Sequence, residues 1–274
     1  MIRRRFGKAG FDVPVIGLGT YKVLDVRGSE EASRHEVVRT AQALGADLYD
    51  SSPMYGEAER VLSDAVRDFR HETIIATKVW TRHPSLNAEQ QVERALGYYD
   101  GFIDIYQIHN LHDWEELLSR LEALKGEGKV GAIGITHYLE SAFSLMEKIM
   151  RTGQIDCIQI PYNVARTREQ QQILDLATEL DLGVIIMEPL GSGELVRMDV
   201  PESAITSFQP YGCATWAQVL LKYIISDERV HVAIPATSSP ERMTQNAQAG
   251  QGSLFSEEAR REVEAVYSRF SHSR

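Results

Sequence analysis

The sequence predicts an α/β protein: a (β/α)8 TIM barrel with an N-terminal β-hairpin ahead of its first strand and an extra C-terminal helix. Three observations carry that expectation. Short Val- and Ile-rich runs recur eight times, longer segments with helical spacing separate them, and glycines punctuate the returns from helix to strand. Parallel strands are buried on both faces and so read as nearly continuous apolar runs, as these do. The 274 residues match one such barrel, and no composition shift, Pro/Ser linker or low-complexity tract divides 1–274 into two domains. A doubly wound open sheet uses the same units, but its three-glycine dinucleotide fingerprint is missing, because Gly17-Leu18-Gly19 continues as Thr20-Tyr21-Lys22.

Taken in order, residues 3–6 and 13–15 flank Gly7-Lys8-Ala9-Gly10, a turn able to close a hairpin across the barrel bottom. The strand runs are 15–20, 47–52, 73–80, 103–109, 130–136, 157–163, 183–190 and 230–237. After the fourth, Trp114, Leu117, Leu118, Leu121 and Leu124 line one helix face, with Asp113 and Glu116 expected as its capping box. Thr167 and Gln170 are expected to open a later helix in the same way. Gly45, Gly128, Gly153 and Gly183 are expected as left-handed helix ends. Ser239 before Pro240 reads as an N-cap followed by the first residue of a helix, whose free N–H groups favour an anion. Residues 256–270 form the extra helix, and the short remainder predicts a site without a covering tail, open and permissive.

Charge and cysteine content narrow the function. Lys+Arg 29 against Asp+Glu 39 leaves a net charge of −10, which disfavours a phosphate-backbone face while allowing a local pocket for one small phosphate. Cys157 and Cys213 lack the spacing of a disulfide framework or a zinc site. Arg3-Arg4-Arg5-Phe6 superficially resembles the basic region of an export signal, but Lys8, Asp12 and Pro14 interrupt the residues after it, and no run reaches membrane-spanning length. A cytoplasmic protein with a small-molecule partner is expected, with neither nucleic acid nor membrane as partner; no pattern specifies an oligomeric state.

In a β/α barrel, polar residues at the carboxyl ends of strands converge on one opening. Asp50 ends the second run, Lys78 lies near the end of the third, His109 ends the fourth, and Tyr55 follows Asp50 in a loop. Each has a bland reading, such as a turn cap, a snorkelling lysine or a turn aromatic. A lysine inside an apolar run is the hardest to explain that way, since its burial requires a partner. Together the four groups suggest proton transfer at a carbonyl oxygen: Lys78 lowers the pKa of the Tyr55 phenol, Asp50 holds Lys78, and His109 donates a hydrogen bond to the carbonyl. No nucleophile sits beside a base, so covalent acyl chemistry is unsupported. His112 and Asp113 lie near His109 and could be misread as metal ligands, but no further ligand lies nearby and no metal is expected.

These residues resemble the aldo-keto reductases over essentially the whole chain. The likeness is carried by Tyr49-Asp50-Ser51-Ser52-Pro53-Met54-Tyr55-Gly56-Glu57-Ala58-Glu59, Ala76-Thr77-Lys78 and Ile108-His109. It continues in the stretch 128–136, in Gln159-Ile160-Pro161-Tyr162-Asn163, in Glu188-Pro189-Leu190-Gly191-Ser192-Gly193, and in 234–242 with Asn246. The resemblance implies a (β/α)8 barrel that reduces aldehyde or ketone carbonyls to alcohols with NADPH, NADH being the alternative, held extended over the barrel top. It implies Tyr55 as general acid, Lys78 and Asp50 tuning it, and His109 orienting the carbonyl. It implies that Gln159, Thr136 and His137 bind the nicotinamide carboxamide and that Met187 lies at the ring, where an aromatic is usual. Gly19, Thr20, Tyr21 and Asp50 are further implied cofactor contacts. Pro189, Leu190, Gly191, Ser192 and Gly193 are implied along the pyrophosphate, Thr237, Ser239 and Arg242 at the 2′-phosphate, and Asn246 at adenine, with Gln245 as a further implied cofactor contact.

Departures from the common family pattern are Thr136-His137 in place of Ser-Asn, Ala236 where some members have lysine, and Gln245 in place of glutamate, so NADPH preference rests mainly on Arg242. Tyr21, Tyr55, Trp80 and His109 are the expected substrate contacts, and the segment 196–211 is a further expected wall. Two alternatives stand beside the reductase. One is a nicotinamide-binding redox-sensing or regulatory protein with little turnover. The other is an aldolase or isomerase using Lys78 as a Schiff-base amine.

Overall fold

The structure is a computed structural model that describes residues 1–271. Strands β1 (Arg3–Arg5) and β2 (Asp12–Pro14) pair antiparallel, Arg3 opposite Pro14, around a 3-10 turn at Gly7–Ala9. Eight parallel strands come next: β3 (Leu18–Gly19), β4 (Leu48–Asp50), β5 (Ile74–Val79), β6 (Ile103–His109), β7 (Val130–Thr136), β8 (Cys157–Pro161), β9 (Gly183–Met187) and β10 (Val232–Ala233). Each neighbours the next. Bridges Ile16↔Ala233 and Gly19↔Ala236, with Gly17 N donating to Ala233 O at 2.9 Å, join the first strand to the last and close the barrel.

The outer ring is α1 (Glu31–Ala43), α2 (Ala58–Val66), α3 (Ala88–Tyr98), α4 (Trp114–Gly126), α5 (Phe143–Met150), α6 (Arg168–Glu179), α7 (Trp216–Ile225) and α8 (Pro240–Ala249), with α9 (Glu257–Ser271) as the extra helix. Alternation along the strands explains the filling of the interior. Successive strand side chains point to opposite faces. Leu48, Ala76, Ile105, Ala132, Cys157, Ile185 and Val232 form one inner layer, and Phe6 and Val13 of the hairpin close it from below. The hairpin therefore plugs the barrel bottom, as expected. The opposite strand faces pack against the helices in a much larger core.

Three local expectations need correction. Asp113 does not cap α4: its own backbone is left-handed (φ 50), and no side-chain bond forms. Thr167 likewise fails at α6, with φ −119 and ψ −32. Reciprocal boxes form instead at Asn87–Gln90 on α3 and Thr215–Gln218 on α7, where the capping residue is extended, the backbone state that turns its side chain onto the open N–H groups. Gly45, Gly128 and Gly153 do take positive φ, but Gly183 does not; Asp181 (φ 51) makes that turn. Gly183 is needed for space, since a Cβ there would lie 2.5–2.6 Å from three atoms of the Phe6 ring.

The segment before α7 forms 3-10 turns. Its Phe208 is fully buried, and Phe208 and Tyr211 both pack against Phe255, with ring centroids 5.4 and 4.9 Å away. Among the described residues no helix is long and apolar enough to cross a membrane.

Candidate active site at the carboxyl ends of the strands

Two residues beyond the inner apolar layer, the same alternation turns Asp50, Lys78, Gln107 and Gln159 inward. Two further along β6 it places His109. Lys78 Nζ donates to both Asp50 oxygens at 2.7 Å and to Ser51 O at 2.7 Å. Three acceptors use all three hydrogens of an ammonium, so this is a charged lysine facing a carboxylate. Both groups are buried, Asp50 2% and Lys78 1% exposed. Burial pushes the Asp50 carboxyl above its ordinary value and the Lys78 ammonium below it, and each charge opposes the shift of the other.

Tyr55 stands beside this pair, with Lys78 Nζ 5.4 Å from its ring centroid. Its loop is held by Asp25, which accepts from Glu57 N at 3.0 Å. Gly56 (φ 60) gives that carboxylate room, because a Cβ there would collide with it. Burial raises the Tyr55 phenol above its ordinary value, and the Asp50 charge adds to the rise. That corrects the expected lowering by Lys78: the cation lies over the ring, and desolvation dominates. The phenol is held protonated.

His109 meets the Tyr55 ring edge-on, with centroids 6.0 Å apart. Burial, then the charge of Lys78, drives its pKa well below the ordinary histidine value, so the imidazole is neutral. Its Nδ1 lies 2.9 Å from Ser52 Oγ, which itself accepts from Met54 N at 3.2 Å. Ser52 can then give its one hydrogen to Nδ1, a tautomer that leaves the hydrogen on Nε2. Behind the four, buried Glu59 accepts from Thr77 Oγ1 at 2.6 Å and from Arg94 at 3.1 Å, anchoring β5 next to Lys78.

The structure thus brings Asp50, Tyr55, Lys78 and His109 into one cluster. Tyr21, 54% exposed, lies over Tyr55 at 4.9 Å. Thr20 Oγ1 donates to Ser51 Oγ at 3.0 Å. Gln159 Nε2 donates to Asp50 Oδ1 at 3.4 Å, and Thr136 pairs in register with both His109 and Gln159. His137 stacks on Tyr138, centroids 5.4 Å apart. Trp80 turns its ring edge-on to His83, and Gln91 grips its backbone on both sides.

The remaining candidates lie in two loops. Gly191–Gly193 is a tight turn with φ of 57, 54 and 91, beside a cavity whose lining includes Asn163, Arg166 and Glu188. At α8, Ser239 Oγ accepts from Arg242 N at 3.2 Å with Pro240 in the first turn, as expected, and Thr237 Oγ1 accepts from Ser239 N at 3.2 Å. Arg242 is exposed and its guanidinium has no ion-pair partner among the described residues, whereas Asn246 is buried. Met187 is half-buried at the end of β9, and Gln245 O accepts from Gln218 Nε2 at 3.1 Å. Ser51, Ser52 and Gln107 were missed as site residues. Strand alternation read back from His109 would have flagged Gln107.

Comparison with known proteins identifies the family. The family model described as Aldo/keto reductase family matches residues 15–268. The chain is 27% identical over 205 residues to Aldo-keto reductase YhdN of Bacillus subtilis (strain 168), covering 68% of this chain and 61% of that protein. It is 24% identical over 244 residues to Methylglyoxal reductase YeaE of Escherichia coli (strain K12), covering 86% and 84%. A solved aldo/keto reductase from Klebsiella pneumoniae, in complex with NADP and acetate, superposes with a TM-score of 0.80 at 25% identity, covering 98% of this chain and 95% of that one. With the family model spanning nearly the whole barrel, the chain belongs to the aldo/keto reductase family and is an oxidoreductase.

Proposed function

We propose that the protein reduces an aldehyde or ketone to an alcohol with NADPH, Tyr55 supplying the proton. The observation that carries this reading is the buried Asp50–Lys78 pair beneath a protonated Tyr55 phenol that faces a neutral His109. The NADP complex of the Klebsiella pneumoniae structure and the name of the Escherichia coli methylglyoxal reductase support the cofactor and the substrate class.

The residues present suit a phosphorylated dinucleotide. The positive end of the α8 dipole favours an anion, and the exposed Arg242 adds a planar donor fork for a phosphate. Thr136 and Gln159, side by side at their strand ends, would hold the carboxamide, and 189–193 would follow the pyrophosphate. When bound, the cofactor supplies the hydride that the carbonyl carbon accepts. Tyr55 gives its phenolic proton to the carbonyl oxygen. Lys78 then stabilises the phenolate left behind, and Asp50 keeps that ammonium in place. His109 donates from Nε2 to the same oxygen and fixes its direction.

The Schiff-base alternative requires a free lone pair on Lys78, and all three of its hydrogens are already given to acceptors. The experiment titrates the purified protein with NADPH and NADH by intrinsic fluorescence, then screens carbonyl compounds. Arg242→Ala weakens NADPH binding by about 1–3 kcal/mol and leaves NADH binding nearly unchanged. Tyr55→Phe retains the cofactor but lowers kcat by about 10²–10⁴-fold. Negligible wild-type turnover with cofactor bound points to the regulatory alternative, and loss of both binding and turnover overturns the reading.

A further inference from the structure

We propose that Gln107 is a positioning residue that ties the proton-donating half of the site to its cofactor-anchoring half; this rests on the reductase reading above. Gln107 Nε2 donates to Gln159 Oε1 at 2.8 Å and to Asp50 Oδ2 at 3.4 Å, while Gln159 Nε2 donates to Asp50 Oδ1 at 3.4 Å. Side chains from β4, β6 and β8 thereby close a ring of hydrogen bonds inside the barrel. None of the three is more than 2% exposed.

Two further observations argue against a filler role. The backbone makes room for this side chain: a Cβ on Gly134, its register partner on β7, would lie 2.9 Å from Gln107 Cγ and 2.6 Å from Cys157 Sγ. In addition, Gln107 Oε1 is buried without a hydrogen-bond partner among the described residues. A leucine would fill the space without leaving that acceptor unmet. Rotating the amide does not help, because it turns an oxygen towards the Asp50 carboxylate and removes the donor from Gln159. The amide is therefore held for its two N–H groups.

One of those N–H groups adds a donor to the carboxylate that holds Lys78. The other takes one lone pair of Gln159 Oε1, and Asp50 takes one Gln159 hydrogen, so Gln159 meets a ligand with one N–H and one lone pair in a fixed orientation. A shift of the cofactor anchor is then felt at Asp50, and the reverse.

Gln107→Met keeps the side-chain length and removes both donors. The dissociation constant for NADP⁺ should rise about tenfold in Gln107→Met and in Gln159→Met, with no further rise in the double variant. The pH profile of kcat should also move in Gln107→Met while the urea midpoint changes little. Additive effects on NADP⁺ binding, or an unmoved pH profile and dissociation constant with a lowered urea midpoint, overturn the proposal in favour of packing. The ring is also read without turnover or cofactor, from the side-chain amide resonances of ¹⁵N-glutamine-labelled protein. The Gln159 signals shift in Gln107→Met, and the Gln107 and Gln159 signals of the native chain shift in Asp50→Asn. Shifted amides in a protein that binds no nucleotide sink the reductase reading alone, and unmoved amides sink the positioning role.

Discussion

At the scale of single residues, charge made the site conspicuous. Asp50, Lys78 and His109 stand in runs that are otherwise nearly apolar, and a buried ionisable group demands a partner, so the sequence exposes them. Neutral polar residues make no such demand. Ser52 reads as a loop serine and Gln107 as an interruption of a strand, and distance alone shows that one faces the His109 ring and the other the Asp50 carboxylate. Ser52 carries a prediction of its own. Without its hydroxyl the Nδ1 of His109 loses the neighbour that selects its tautomer, so Ser52→Ala should lower kcat about tenfold, roughly the value of one hydrogen bond, with cofactor affinity retained. Stopped-flow turnover beside a fluorescence titration separates the two, and an unchanged kcat removes Ser52 from the site.

At the scale of elements, the alternation of apolar strand runs with segments of helical spacing was legible and carried most of the prediction. It fails where fit rather than pattern decides. Gly183 looks like the glycine of a helix end, yet it is a strand residue whose missing side chain makes way for Phe6 of the hairpin. Gly183→Ala should therefore cost about 1–3 kcal/mol, as overpacking does, and lower the urea midpoint. Phe6→Leu in that background should recover part of the loss, whereas the two changes should simply add if hairpin and strand are independent. The caps teach the same lesson. Asp113 and Asn87 are equally good capping residues by type, but only Asn87 has the extended backbone that a cap requires.

At the scale of the whole molecule, the barrel floor predicts a pH response. His231 Nδ1 accepts from Val184 N at 3.0 Å, and its ring meets Phe6 edge-on at 5.6 Å. Burial, reinforced by the charge of Arg4 and opposed by Asp181, lowers its pKa to about 4. The folded state holds this histidine neutral, so the unfolded chain takes up the proton first. The stability that His231 contributes is fully present above about pH 6.5 and is lost as the pH falls towards 4. Melting temperature should fall less steeply across that window in His231→Asn than in the native chain, and parallel curves would exclude the group.

The sequence by itself determined the barrel, the hairpin, the extra helix and the four ionisable groups of the site. Each is written in local periodicity, or in a charge placed where burial forbids it unpaired. The tertiary structure decided which glycine gives space rather than flexibility, which caps close, the rise rather than fall in the pKa of Tyr55, and the ring joining Asp50, Gln107 and Gln159. Those outcomes depend on desolvation and on distances between strands far apart in the chain, and neither quantity exists until the barrel closes.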